Sequence, residues 1–379
     1  MTFQDFINNL RFEQVDMILC VLATVLFSVG WFYFFYYFNP IKLTPSEPIT
    51  AFPPVSIIIS ARNSVLKLED NIQHWLTQDY PNYEVVIIDD RSSDETAYFL
   101  VKTAEKEPLL KYVLLDPDVI KNGSKKLALT LGIKKAKNNY FLLTDADCIP
   151  SSDQWLKHMA TGFTHKKDIV LGVSPVNTKK SFLGRLTQYE NLLTAMQYLG
   201  MSIKGKTYMG VGRNLAYTRG IYDSVGGFSK HHHLPAGDDD LFVQEASNAN
   251  NTIVCIQPES YVNTEGPKNW KEYWKQKMRH LWIGKQYRSD VKTSLAWLPI
   301  SQLLFWTIII IWFITGSSWL WPIIPIIVKI VPEWIIFVKK GKLLNMPLAG
   351  PYYLFYNIFY SFWYVVISMN AFFKRKIVW

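Results

Sequence analysis

Asp145-Ala146-Asp147 sets two carboxylates one residue apart, at the end of a short apolar run, Tyr140-Phe141-Leu142-Leu143-Thr144, that reads as a buried strand. Carboxylates at that spacing beyond a strand end make a compact hard-oxygen site for Mg2+ or Mn2+, an ion that can also hold the phosphates of a nucleotide. Acidic turn residues after strands are common, so the pair gains meaning only from the other charged positions. Gly237-Asp238-Asp239-Asp240 is the second cluster. Three successive carboxylates repel one another, so at least one is expected to keep its proton above the ordinary range, as a general base needs. An acidic first helical turn, favoured by the helix dipole, would look the same. Leu241, Phe242 and Val243 would bury the start of that helix and fix the acids at its N-terminus.

Four further positions carry charge or hydrogen-bonding capacity suited to a phosphorylated ligand. Asp90 closes a second apolar run and can accept from a base N–H or a ribose hydroxyl, or simply start a helix, with Asp94 as its cap. Lys125 follows Asn122-Gly123-Ser124 at a helix start, where an ammonium and the helix N-terminus both favour a diphosphate, although a solvated lysine pair with Lys126 is the plainer alternative. Gln276 and Arg279 are three apart and share a helix face, able to grip a diphosphate or to meet lipid headgroups. The run His231-His232-His233 invites a zinc reading, but adjacent side chains diverge, so a loop over the site is expected.

The elements that must position these residues alternate. Val55–Ser60, Tyr83–Ile88, Tyr112–Leu115 and Tyr140–Thr144 read as strands. Helical stretches lie between them, reaching about Gln78, about Lys106, and over Ser124–Lys137. Regular alternation implies an α/β domain with a mostly parallel sheet, whose ligands bind beyond the carboxyl ends of the strands. The acidic clusters up to Asp147 stand at such ends. A dinucleotide-dependent oxidoreductase would need a Gly-x-Gly-x-x-Gly turn after the first strand, where Ala61-Arg62-Asn63 stands instead.

The 379 residues exceed one ordinary domain, and the apolar residues are unevenly spread. Met17 to Phe38, Thr293 to Val328 and Leu343 to Phe373 are long uncharged blocks, each at least as long as the roughly 20 residues of a membrane span. The middle block reads as a span followed by a hairpin at Gly316-Ser317-Ser318 and Pro322, and Gly350-Pro351 is a possible break in the last. The residues before the first block lack the positive leading region of a signal peptide. This gives an extracytoplasmic N-terminus (1–16), a transmembrane anchor (17–38), a linker (39–53), a soluble domain (54–266), an amphipathic interface helix (267–290) and a C-terminal membrane region of two or three segments (293–373). The positive-inside rule puts the basic domain in the cytoplasm of an integral membrane protein, while Lys374-Arg375-Lys376 fits that rule poorly if all three C-terminal segments cross. A net charge of +9 suits anionic headgroups and a phosphorylated ligand, and the membrane blocks argue against nucleic acid as a partner. Cys20, Cys148 and Cys255 show no metal spacing and read as free thiols.

Taken in order, these motifs resemble the membrane-bound family 2 glycosyltransferases, inverting enzymes with the GT-A fold, over roughly Pro54 to Tyr287. Val55–Asn63 looks like the family's opening strand and nucleotide loop, and Ile87–Asp94 its second strand. Lys125 falls on the family's lysine ahead of Ala128-Leu129, and Asp145-Ala146-Asp147 on its metal motif. Gly212–Tyr217 with Val225–Phe228 resembles the segment lining the acceptor side. Gly237-Asp238-Asp239 matches the acid pair, and Gln276-x-x-Arg279 the Gln-x-x-Arg-Trp motif. The resemblance implies a GT-A-type nucleotide-sugar domain with flanking transmembrane helices. It also implies a nucleotide diphosphate-sugar donor, most simply uridine-linked, a lipid or glycan acceptor, and the bacterial inner membrane as location. Carried over by position, Asp239 would be the base, Asp145 and Asp147 the metal ligands for Mg2+ or Mn2+, and Arg62, Asp90, Lys125, Asp145, Asn214, Asp238, Gln276, Arg279 and His280 the substrate contacts. Three departures stand out: His280 replaces the motif's tryptophan, Ser64 the acid often found after Ala-Arg-Asn, and Asp240 adds a third carboxylate. A processive polysaccharide synthase and a non-catalytic nucleotide-sugar-binding scaffold are the competing readings.

Overall fold

The computed structural model describes residues 3–43, 52–116, 124–316, 318–348 and 350–374. Residues 44–51 of the linker, Asn122-Gly123, Ser317 and Arg375-Lys376 lie outside the described residues. The chain divides into two compact units. One comprises the chain up to Pro40, Trp274–Lys342 and the stretch from Pro347; the other comprises Ile41–Tyr273 with Leu343–Met346. Helix α1 (Phe3–Phe32) opens the first unit and continues as a π-helical stretch, Tyr33–Phe38, so the backbone does not break where the sequence suggested an end to the N-terminal segment at residue 16.

The second unit is α/β. Strand β1 (Val55–Ala61), helix α2 (Val65–Leu76), β2 (Tyr83–Asp89), α3 (Thr96–Ala104), β3 (Leu110–Leu114), α4 (Lys125–Lys135) and β4 (Tyr140–Asp145) follow the alternation read from the sequence. β1 and β2 are β-branched runs buried along almost their whole length, as strands covered on both faces must be. The chain continues through β5 (Cys148–Pro150), α5 (Trp155–Thr164), β6 (Ile169–Leu171), β7 (Val176–Asn177), α6 (Phe182–Ile203), β8 (Leu215–Thr218), α7 (Arg219–Ser224), α8 (Asp240–Ala246), β9 (Thr252–Val254) and β10 (Val262–Glu265).

The main sheet runs β3-β2-β1-β4-β8-β6-β9. Its first four strands are parallel, β8 is antiparallel to both β4 and β6, and β9 is parallel to β6. A small second sheet, β5-β10-β7, forms beside it. Register is what matters for the site. Ala61 pairs with Asp89 and Ser60 with Asp145, so the acidic ends of β2 and β4 flank the carboxyl end of β1. Strand spacing separates those ends by about 10 Å.

Helices α9 (Trp270–Gly284), α10 (Ser289–Thr315), α11 (Ile323–Leu343) and α12 (Gly350–Phe373) follow, α9 running across the division between the units. In the helical unit, Leu19, Ala23 and Phe27 of α1 pack with Phe305, Trp306, Ile309 and Trp312 of α10, and Trp312 donates its indole N–H to Asp16 at 2.6 Å. Gly350 begins α12 rather than breaking it, and the apolar block read from Leu343 onward is divided, because Leu343–Met346 groups with the α/β unit. A polar network is buried among α10, α11 and α12. Lys329 pairs with Glu333 at 2.7 Å, Tyr353 donates to Glu333 at 3.1 Å, and Trp306 donates to Asn357 at 2.9 Å. Among the described residues, two helical stretches, Glu13–Phe38 and Ser289–Thr315, are long and apolar enough to cross a membrane.

Candidate active site

The site forms at the carboxyl ends of β1, β2 and β4. Asp145 is the last residue of β4, and the turn after it leads directly into β5. Asn71, buried on α2, donates its amide to the Ala146 carbonyl at 3.0 Å and so pins this turn from behind. Ligating atoms of Asp145, Asp147 and Cys148 all lie within 4.8 Å of one another. Cys148 is fully buried, and its thiol donates to Asp147 Oδ1 at 3.4 Å. Burial, then the neighbouring charges of Asp145 and Asp147, pushes that thiol up, so the sulfur supports Asp147 while the two carboxylates supply the oxygens. Paired carboxylate oxygens suit a hard ion such as Mg2+ or Mn2+, and the donor set fits either.

Lys125 joins this turn to the second acidic cluster. Ser124 caps α4 by accepting from the Leu127 N–H, which puts Lys125 on the first helical turn. Its Nζ lies 2.6 Å from Asp145 Oδ1 and 3.3 Å from Asp238 Oδ2. Burial works against the ammonium, but Asp145 and Asp238 around it, with Asp239 beyond, raise its pKa above the ordinary lysine value. One cation thus gathers carboxylates from two motifs separated by more than 90 positions in the chain.

Asp239 caps α8. Its Oδ1 accepts from the Asp240 N–H at 2.8 Å and its Oδ2 from the Gly212 N–H at 3.0 Å. Burial and the like charge of Asp238 raise this carboxyl above the ordinary range, against the opposing pull of Lys125 and the two N–H donors. Gly237, just before the cluster, has φ +95°, and a Cβ there would stand 2.7 Å from Leu241, so the turn that delivers the acids requires glycine.

On the other side of β1, Asp90 is buried and paired with Arg91 at 2.8 Å. Arg62 is exposed in the loop after β1. That loop is tied to the one after β2: Asn63 accepts from the Ser93 N–H, and the Asn63 and Ser64 N–H groups donate to Ser92 and Thr96. Asp94 is not the N-cap of α3, which is Glu95, but stands one residue before it. Its carboxylate accepts from Thr96 and also from the Val65 N–H of α2, stapling the starts of both helices.

Asn214 departs from the expected substrate contact. It is fully buried, accepts from Trp155 Nε1 at 3.0 Å, and donates to the carbonyls of Val173 and Ser260 at 2.8 and 2.9 Å. Both amide hydrogens are spent inside the domain, leaving none for a ligand.

Residues 56–226 match the profile of Glycosyl transferase family 2. This segment is a family 2 glycosyltransferase domain. The chain is 29% identical over 191 residues to the poly-beta-1,6-N-acetyl-D-glucosamine synthase of Staphylococcus aureus, an alignment covering 49% of this chain and 43% of that protein. It therefore spans less than half the length of these curated relatives. It is 24% identical over 290 residues to the probable glycosyltransferase YdaM of Bacillus subtilis, covering 74% of this chain and 67% of that one. Among solved structures, a Pyrobaculum calidifontis mannosyltransferase in complex with GDP-Man and Mn2+ superposes with a TM-score of 0.60 at 16% identity, over 96% of this chain and 100% of that one, a likeness of fold.

Within the α/β unit, Asp90, Asp145, Asp147 and Lys125 from this segment, and Asp238 and Asp239 beyond it, stand at or beside the carboxyl end of the sheet. Gln276, Arg279 and His280 lie on α9 beyond Tyr273 and belong to the helical unit. Three residues have roles that the sequence did not assign them. Gly212 holds Asp239, Cys148 supports Asp147, and Arg213 donates to Ser174 Oγ at 2.5 Å near Cys148. Direct adjacency to Asp147 could have flagged Cys148. The partnership of Gly212 with Asp239 depends on tertiary packing and left no local signal.

Proposed function

We propose that the chain is a membrane-bound inverting glycosyltransferase that moves a sugar from a nucleotide diphosphate-sugar, most simply a uridine-linked one, to a hydroxyl of a lipid or membrane-associated glycan. The observation that carries this reading is the double contact of Lys125, which brings the Asp-x-Asp carboxylate and the acid pair to one place. The donor would lie across the strand ends, with Asp90 and Arg62 at the nucleoside. Asp145 and Asp147 would hold Mg2+ or Mn2+, whose chemistry there is neutralisation of the diphosphate as the glycosidic bond breaks. Asp239, with its raised pKa, takes the proton of the acceptor hydroxyl, and that oxygen attacks the anomeric carbon from the face opposite the leaving group. Lys125 stabilises the departing diphosphate, and the family resemblance assigns Gln276 and Arg279 a diphosphate contact and His280 an acceptor contact. Asn214 is assigned a positioning role, holding the segment that supplies the Gly212 N–H.

Membrane attachment rests on the outward faces of the helical unit. Ile18, Val21, Leu22 and Val25 of α1, Ile310, Ile311 and Ile314 of α10, and Phe355, Val366 and Met369 of α12 are exposed apolar side chains on long helices, as lipid contact requires. With the positive-inside rule, this supports placement in a bacterial inner membrane with the transferase domain cytoplasmic.

A second reading, a processive polysaccharide synthase, is favoured by the likeness to the Staphylococcus aureus synthase. The test is full-length protein in lipid with Mn2+ or Mg2+ and a panel of UDP- and GDP-sugars, following release of nucleoside diphosphate. Release that Asp239→Asn abolishes supports the reading; release at the same rate in wild type and variant refutes it. Product length, one added sugar or a polymer, separates the two forms of the enzyme.

A further inference from the structure

Lys126 sits beside Lys125 at the start of α4 but points elsewhere. It is 3% exposed, and its Nζ donates to two backbone carbonyls, His231 O at 2.5 Å and Leu234 O at 2.9 Å. Those carbonyls belong to the turn that runs from Ser229 into Gly237 and the acid pair. The same turn is held from its other side by α8. Glu245 pairs with Lys230, and its Oε2 lies 3.2 Å from His231 Nε2. A buried ammonium is costly unless its donors are satisfied, so one that spends them on the carbonyls of an irregular segment fixes that segment's path. A plain salt bridge would not need two backbone acceptors.

We propose that Lys126 and Glu245 form a two-sided clamp on residues 229–234 that keeps Asp238 and Asp239 opposed to the Asp145-Asp147 turn. Lys126 is then a positioning residue for the reaction proposed above, on which this inference rests. The histidine run is the clamped strap: its backbone is gripped by Lys126 and its first imidazole faces Glu245. Two neighbouring lysines divide the work, Lys125 on the carboxylates and Lys126 on the chain that delivers them.

The test uses full-length protein in lipid. Lys230 is an exposed tryptic site within the clamped segment. Lys126→Met and Glu245→Gln should each speed cleavage after Lys230 at least about tenfold. Lys126→Met should also lower kcat for donor turnover by about 10- to 100-fold, the cost of a misplaced base. KM for the donor and the binding of Mn2+ alone should stay within about twofold, and Lys126→Arg should restore slow cleavage and most of kcat. Unchanged cleavage in both variants overturns the clamp, and faster cleavage with wild-type kcat overturns its positioning role. Should Lys126→Met fail to fold, Glu245→Gln decides alone. Wild-type protein that turns over no donor would refute the functional reading instead, and the cleavage comparison, which needs no turnover, still decides the clamp.

Discussion

Gly212 donates its backbone N–H to Asp239 Oδ2 at 3.0 Å, and a Cβ on Gly212 would stand 3.2 Å from that same oxygen. The position therefore combines a hydrogen bond with a close approach that a methyl group disturbs. Gly212→Ala should displace the Asp239 carboxylate by a few tenths of an ångström and lower kcat by roughly tenfold, within the range that misplacement of a reacting group can cost. Donor KM and melting temperature should hardly move. Steady-state kinetics beside a thermal melt checks this.

Asp239→Asn should reduce transfer by about 10²- to 10⁴-fold, the usual contribution of a positioned base, while nucleotide binding by calorimetry persists. The pH profile carries the same assignment. A base must be ionised to act, and the Asp239 pKa is raised, first by burial and then by Asp238. Activity is therefore full above that raised pKa and falls as pH drops through it. The acid limb of kcat/KM should lie above the ordinary aspartate value of about 3.9.

Lys125→Met removes the cation that holds the Asp239 carboxyl down and that binds Asp145 and Asp238. Its acid limb should move to higher pH than in the wild type, and kcat should fall with the lost support for the departing diphosphate. A limb that stays where it was would place Lys125 outside the electrostatics of the base.

Asp147→Asn halves the charge of the acidic turn and leaves the Cys148 thiol facing an amide. Mn2+ affinity, read by electron paramagnetic resonance without any substrate, should weaken at least about tenfold. Chelation of wild-type enzyme should abolish turnover, with recovery on adding Mg2+ or Mn2+.

Asn214→Ala separates the expected substrate contact from the positioning role. Truncation strands Trp155 Nε1 and the carbonyls of Val173 and Ser260 in the interior. A stability loss of about 2–4 kcal/mol by denaturant titration should follow from those unsatisfied groups. A residue in direct contact with the donor would instead raise KM and leave the melt unchanged.

The parallel half of the sheet was legible because β1, β2 and β4 are apolar, β-branched or aromatic runs whose burial is written in their composition. Both acidic motifs were legible because they stand at element ends, where the chain must be polar. The antiparallel strand β8 was not, since Leu215–Thr218 is short and finds its partners β4 and β6 only through tertiary contacts. Asn214 misled for a related reason: a polar residue beside a motif looks the same in sequence whether its amide faces a ligand or the core. The Lys125 double contact joins positions too far apart in the chain for spacing to reveal it. In the apolar blocks, hydropathy found the stretches but not their ends, because α11 extends through Lys329 and Glu333, whose charges are paired and hidden.

That hidden pair bears on how the protein is made. A buried ammonium and carboxylate are costly until their hydrogen-bond partners are in place, and Glu333 gains the hydroxyl of Tyr353 only when α12 packs against α11. During synthesis α11 is made before α12, so the pair on α11 obtains its full set of partners only once the following helix has packed. Two side chains of α11 thereby reward the docking of α12, and a chain cut short after α11 would leave Glu333 without the Tyr353 hydroxyl.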